Sequence, residues 1–140
     1  MIKDLYNTNI LRLSSDIPRL GKLDKPDSCS TVVSKLCGSK ITVYLNMKDN
    51  TINDFTHEIK ACSLGKAASS VMARNIIGSS SEELLEIKKE MYNMLKEDGT
   101  PPSGKWDDLK YFEPVKDFKG RHASVLLVFD AVENCINELK

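Results

Sequence analysis

A chain of 140 residues, 41% hydrophobic and 29% charged, has the make-up of one globular domain large enough to bury a core without disulfide staples. Its 20 basic and 20 acidic residues cancel and no basic block stands out, so nothing in the charge speaks for nucleic acid. The longest apolar run, residues 125–129, is far too short to cross a bilayer, and the first six residues lack the apolar stretch of a signal peptide, so the expected compartment is the cytoplasm.

Along the chain, Ile2, Leu5, Tyr6, Ile10 and Leu13 recur at roughly helical spacing and predict a short amphipathic helix over residues 1–14. Pro18, Gly21 and Pro26 then punctuate a loop. Thr31-Val32-Val33 predicts a first strand over residues 30–36. Ile41, Val43, Leu45 and Met47 alternate with Lys40, Thr42, Tyr44 and Asn46, the pattern of a half-buried second strand. Residues 48–50 make a turn, after which Phe55, His57, Ile59 and Ala61 form one face of a third strand. Short connections between successive strands imply an antiparallel meander.

Past Cys62 the period changes. Ala67, Ala68, Val71, Met72 and Ile76 predict a helix that Gly78 stops. Ser80 with Glu83 forms a capping box opening a helix of Leu84, Ile87, Met91, Met94 and Leu95, ended by Gly99. Residues 100–104 are loop, and residues 106–118 are read as a helical turn with an irregular lid. A last helix over residues 121–139 turns Leu127, Val128, Ala131, Cys135 and Leu139 inward. The order predicts an α+β domain spanning residues 1–140, a small three-stranded antiparallel sheet with helices packed on one face.

Four cysteines in a chain without an export signal are expected as reduced thiols. Cys29 and Cys135 match no motif and are read as small buried hydrophobes. Cys37, in Leu36-Cys37-Gly38-Ser39-Lys40-Ile41, precedes the second strand, and Cys62, in Ala61-Cys62-Ser63-Leu64-Gly65, stands where a strand gives way to a small-residue helix. Both thiols end a regular element beside a glycine that lets something large approach, which suits a soft ligand to a metal or a sulfur-bearing group. His57 is read as structural. No nucleophile–base order, Gly-rich phosphate loop or carboxylate pair points to an ordinary enzyme.

Those two cysteine segments resemble the scaffold proteins of iron–sulfur cluster assembly, the family of IscU, SufU and the N-terminal domain of NifU. The family's Cys-Gly-Asp motif ahead of the second strand is matched by Cys37-Gly38-Ser39-Lys40-Ile41, and its Gly-Cys with a Ser/Ala-rich helix by Ala61-Cys62 through Ser70-Val71-Met72. The stretch carrying Trp106 and Tyr111 is more similar to SufU than to the shorter IscU. The family's aspartate is Ser39 here, and its third cysteine is best matched by Ser124, three residues after Arg121 as in SufU.

The resemblance implies a non-enzymatic assembly protein. It would hold iron or an iron–sulfur cluster transiently through Cys37 and Cys62 and pass it to carriers or apo iron–sulfur targets, with a cysteine desulfurase as sulfur source. His122, two residues before Ser124, is a candidate imidazole ligand, while the hydroxyls of Ser39 and Ser124 are poor ligands for soft metals. A cluster usually needs four protein ligands. The rest of the set is left open: water, a partner's cysteine, or a homodimer contributing two cysteines from each subunit. Two alternatives stand beside this reading. One is a docking module that has kept the fold and lost cluster building. The other is a SufU-like, zinc-dependent sulfur acceptor in which Cys62, before a helix N-terminus with Lys66 one turn on, takes a persulfide that Arg121 helps orient. Neither nucleic acid nor a membrane is an expected partner.

Overall fold

The computed structural model describes residues 5–36 and 38–139. Helix α1 (Thr8–Ser15) leads into strands β1 (Ser28–Ser34), β2 (Ser39–Lys48) and β3 (Thr51–Lys60), followed by helices α2 (Ser63–Asn75) and α3 (Ser81–Lys96). A 3-10 helix (Gly104–Asp117), a 3-10 turn (Lys119–Arg121) and helix α4 (His122–Glu138) complete the order. No helix among the described residues is long and apolar enough to cross a membrane.

The predicted first helix is interrupted at Asn7, whose side chain accepts from the Ile10 N–H at 3.0 Å and caps a helical start at Thr8, although Leu5 before it is itself helical. Leu5 is buried just ahead of it, and Ile2 lies outside the described residues. The sheet is the expected meander, order β1-β2-β3, antiparallel throughout. Asp49 and Asn50 between β2 and β3 have φ of 53° and 62°, the left-handed pair that a tight type I′ hairpin requires and that Asn and Asp tolerate. β1 starts two residues earlier than predicted and stops at Ser34, whose carbonyl accepts from the Gly38 N–H at 2.8 Å across the turn into β2. Gly38 holds φ at +70°, a conformation glycine adopts without strain.

Strand alternation sorts the two faces. Ile41, Val43, Leu45, Phe55 and His57 are buried against the helices, while Cys29, Thr31, Val33, Lys40 and Glu58 are exposed on the other face. Cys29 is therefore not the buried hydrophobe expected. The register sets it opposite Tyr44, on the open face, and it is solvent-exposed. Cys135 is fully buried on α4 with its thiol 3.6 Å from the Val43 carbonyl, and burial pushes its pKa up to about 12. Leu139, expected inward, is exposed because α4 ends one residue before it.

The apolar faces of α2 and α3 are buried as predicted, though α2 ends at Asn75 and α3 at Lys96, each three residues short of its stopping glycine. The Ser80 hydroxyl accepts from the Glu83 N–H at 3.1 Å, one half of the capping box. The Glu83 carboxylate turns instead to the Trp106 indole N–H at 2.8 Å, the Lys105 ammonium at 3.0 Å and the Ser79 hydroxyl at 3.3 Å. Partial burial opposes its ionisation, but these donors hold its carboxyl below the ordinary value.

Residues 106–118 form no lid. They run through a 14-residue 3-10 helix whose buried side chains, Trp106, Leu109, Phe112 and Val115, recur every third residue. Side chains three apart eclipse in a 3-10 helix, so a strict three-residue apolar repeat presents one continuous stripe to the core.

His57 anchors the loop punctuated by Pro18, Gly21 and Pro26. Its N–H donates to the Arg19 carbonyl at 3.0 Å, and its own carbonyl accepts from the Gly21 N–H at 2.9 Å. The ring is fully buried, packs 5.2 Å from the Phe55 ring centroid, and finds no hydrogen-bond partner for either nitrogen among the described residues. Burial pushes its pKa down to about 4. The unfolded chain binds this proton with a pKa of about 6.5, so protonation favours unfolding and stability falls as pH drops from about 6.5 to about 4, by about 3 kcal/mol in all. Urea unfolding across that window should show the loss, levelling off below it, and His57→Phe should remove this contribution.

Candidate functional site

The register of the sheet decides which sequence motifs meet. Lys40, near the start of β2, is directly opposite Lys60, the last residue of β3. The β1–β2 connection and Cys62, two residues past β3, therefore leave the sheet at the same end. Cys37 belongs to that connection by sequence and lies outside the described residues.

Cys62 is the N-cap of α2, with extended backbone (φ −71°, ψ 173°) and no capping hydrogen bond from its side chain. Serine or aspartate at an N-cap would accept from a free first-turn N–H. A thiol caps weakly, so Cys62, half-buried and packed against the edge of the core, stands at the positive end of the helix without a capping duty. Lys66 is one turn on, its N–H donating to the Cys62 carbonyl at 3.0 Å.

Gly65 draws a second helix to this corner. A Cβ there would lie 2.8 Å from the Ala61 Cβ and 3.3 Å from the Ser124 carbonyl oxygen. The first turns of α2 and α4 thus approach as closely as a missing side chain allows, and Ser124 is brought beside the turn that follows Cys62. Ser124 is buried, as is Ser39, which pairs with Ser34 across the β1–β2 hairpin. The sheet end therefore gathers Cys62 and two serines whose hydroxyls are weak ligands for soft metals.

His122, the first residue of α4, is buried with its Nε2 3.0 Å from the Val115 carbonyl and 3.1 Å from that of Lys116. Nε2 carries the proton in this arrangement and pins the end of the 3-10 helix, leaving Nδ1 as the ring atom with a lone pair to offer. Arg121 precedes it at the N-cap of α4, half-exposed, its N–H donating to the Phe118 carbonyl at 2.9 Å. Among the described residues no three His, Cys, Asp or Glu side chains converge as a metal-binding set.

Sequence reasoning missed two features of this corner. One is the helix contact made possible by Gly65, whose signal was a glycine inside an otherwise uninterrupted helical pattern. The other is the lysine pair, legible as a lysine at the start of one predicted strand and another at the end of the next.

Known proteins share this fold. The crystal structure of a nitrogen-fixing NifU-like protein (N-terminal) from Brucella abortus superposes with a TM-score of 0.97 at 55% identity, covering 99% of this chain and 96% of that one. A protein described as a candidate iron–sulfur cluster assembly scaffold for the SUF system, from Fervidobacterium islandicum AW-1, shares the fold with a TM-score of 0.86 at 24% identity over 94% of this chain and 96% of that one. In sequence, the iron–sulfur cluster assembly scaffold protein IscU of Thermotoga maritima is 24% identical over 139 residues, covering 99% of this chain and 97% of its own length. The sequence model of the NifU-like N terminal domain matches residues 5–121, and the chain belongs to that family.

Proposed function

We propose that this chain transiently holds iron or an iron–sulfur cluster through Cys37 and Cys62, takes its sulfur from a cysteine desulfurase, and hands the product to carrier or target proteins without catalysing a reaction itself. One observation carries the reading: in a member of this family, Cys62 stands uncapped and half-exposed at the sheet end where the Cys37-bearing connection also leaves. Two thiolates fill half of an ordinary cluster ligand set. Of the remaining ligands, His122 Nδ1 is the internal candidate, and the rest come from outside the subunit. A site short of its own thiolates releases its load readily, which suits a carrier better than a storage protein.

Anaerobic reconstitution with ferrous iron and sulfide tests this. Stoichiometric iron and sulfide should bind to the wild type and be lost in both Cys37→Ser and Cys62→Ser, and size-exclusion mass shows whether two subunits share the load. Wild-type protein that stays folded and binds no iron would overturn the carrier reading.

The uncapped position of Cys62 also favours a sulfur-relay reading. Its thiolate would attack the outer sulfur of a desulfurase persulfide, and the desulfurase cysteine would leave as thiolate. Intact-mass measurement after incubation with a desulfurase and free cysteine would then find one added sulfur, lost in Cys62→Ser.

A further inference from the structure

We infer that the cysteine-bearing end of the sheet is a docking face for an acidic protein surface. The inference deepens the reading above by giving the partner its chemistry, and rests on it only for the claim that a partner comes to this end. Lys35 lies in the β1–β2 connection, Lys40 and Lys60 face each other across β2 and β3, Lys66 stands in the first turns of α2, and Lys119 and Arg121 lead into α4. None of these six cations forms an ion pair with another described residue; Arg12, Lys22, Lys25, Lys48, Lys89 and Lys96 are unpaired too, so it is the gathering of the six, and not their lack of partners, that marks this face. Glu58, on the same face two residues before Lys60, is engaged with the Tyr44 hydroxyl at 2.7 Å. Like charges directly opposite on a ladder repel, so the Lys40–Lys60 pair is unfavourable to the sheet, with Glu58, which lines the same small surface pocket, as the one nearby opposite charge among the described residues there.

Four carboxylates stand at the other end, where β2 closes with Lys48. Asp27 and Asp49 line a cleft of about 490 Å³ beside Asn50, which donates to Glu82, while Glu138 accepts from Ser28 nearby. The two ends of the sheet thus differ in charge, and the cation-rich end is the one whose connections carry the cysteine motifs. Such a field steers an oppositely charged partner and fixes its orientation.

The face is apolar as well as cationic. Val33, directly opposite Lys40, is 55% exposed and Leu36 is 74% exposed. Apolar side chains set among charges are the anatomy of a protein interface, while a neutral chain lacks the general polyanion affinity expected of a nucleic-acid binder. A second copy apposed through the same face would set cations against cations.

The test uses apo protein and a long polyglutamate peptide as probe, followed by heteronuclear NMR at low and high salt. Shifts should be confined to the face around Val33, Leu36, Lys40, Lys60, Lys66 and Arg121, and should fade as salt rises. Lys60→Glu should weaken binding by roughly tenfold or more. The same substitution turns a repulsive cross-strand pair into an attractive one, so the unfolding midpoint should hold or rise, which separates lost docking from lost fold. Shifts that are absent, scattered, at the acidic end or indifferent to salt would overturn the inference. So would phosphatidylglycerol vesicles that engage the face when the peptide does not, or a dimer that Lys60→Glu abolishes. Iron reconstitution is read separately. Normal iron binding with no peptide binding would sink the docking face alone, and failed reconstitution with mapped peptide binding would sink the carrier reading alone.

Discussion

Trp106→Ala is expected to lower the free energy of unfolding by about 3–5 kcal/mol, the cost of deleting a large buried aromatic side chain. The indole begins the apolar stripe of the 3-10 helix, donates to Glu83 at 2.8 Å, and has the Lys105 ammonium 5.5 Å from its ring centroid. Its loss opens a cavity and frees the segment from α3 at once. Urea unfolding gives the magnitude. Trp106→Phe keeps most of the volume and loses the donor, so it should lose only about 1 kcal/mol, since Lys105 and Ser79 still serve the carboxylate. With one donor gone, the Glu83 carboxyl should titrate closer to its ordinary value. The stability that its depressed pKa adds above the unfolded value, and that is lost on acidification, should shrink accordingly.

Gly65→Ala should destabilise the protein by about 1–3 kcal/mol, the usual range for a side chain forced into a filled space. The sign is informative. Helix propensity alone would favour alanine by about 1 kcal/mol. Against that, the new Cβ meets the fixed Cβ of Ala61 at 2.8 Å and the Ser124 carbonyl at 3.3 Å, and neither is the loose end of a flexible chain. The relief must come from shifting the first turn of α2 away from the Ala61 connection and from α4, which disturbs the corner where Cys62 sits. A lowered thermal midpoint together with faster alkylation of Cys62 is the expected pair of results. Gly120→Ala, where a Cβ would meet nothing within 4 Å, serves as the control and should change neither.

The sheet was legible because its chemistry is periodic. Ile41, Val43 and Leu45 alternate cleanly, Phe55 and His57 share a face, and Asp49-Asn50 carries the backbone preference its turn needs. Cys62 at a helix cap was legible for a related reason, since the period changes from two to that of a helix at that residue. β1 was harder. Its sequence, SCSTVVS, mixes small polar and β-branched residues, so its phase depends on pairing with β2, and the phase puts Cys29 outside. The 3-10 helix escaped because a search for periods of two or 3.6 passes over a period of three. The commitment of His122 could not be read either. Its acceptors are carbonyls at the end of that same segment, placed by a helix type the sequence reading did not consider. Cys37 is identified by its motif alone, and the structure adds only where the chain on either side of it leaves the sheet.

That three-residue repeat has a consequence for chain length. In a helix of about three residues per turn, removing one residue rotates everything beyond it by about a third of a turn and carries the stripe out of the core. Removing three shortens the segment by one turn and leaves every later side chain facing as before. Trp106, Leu109, Phe112 and Val115 therefore make this stretch tolerant of indels by threes and intolerant of any other number. Relatives that differ in length here should differ by whole turns, with the helix that follows, and His122 at its head, kept in phase with the sheet.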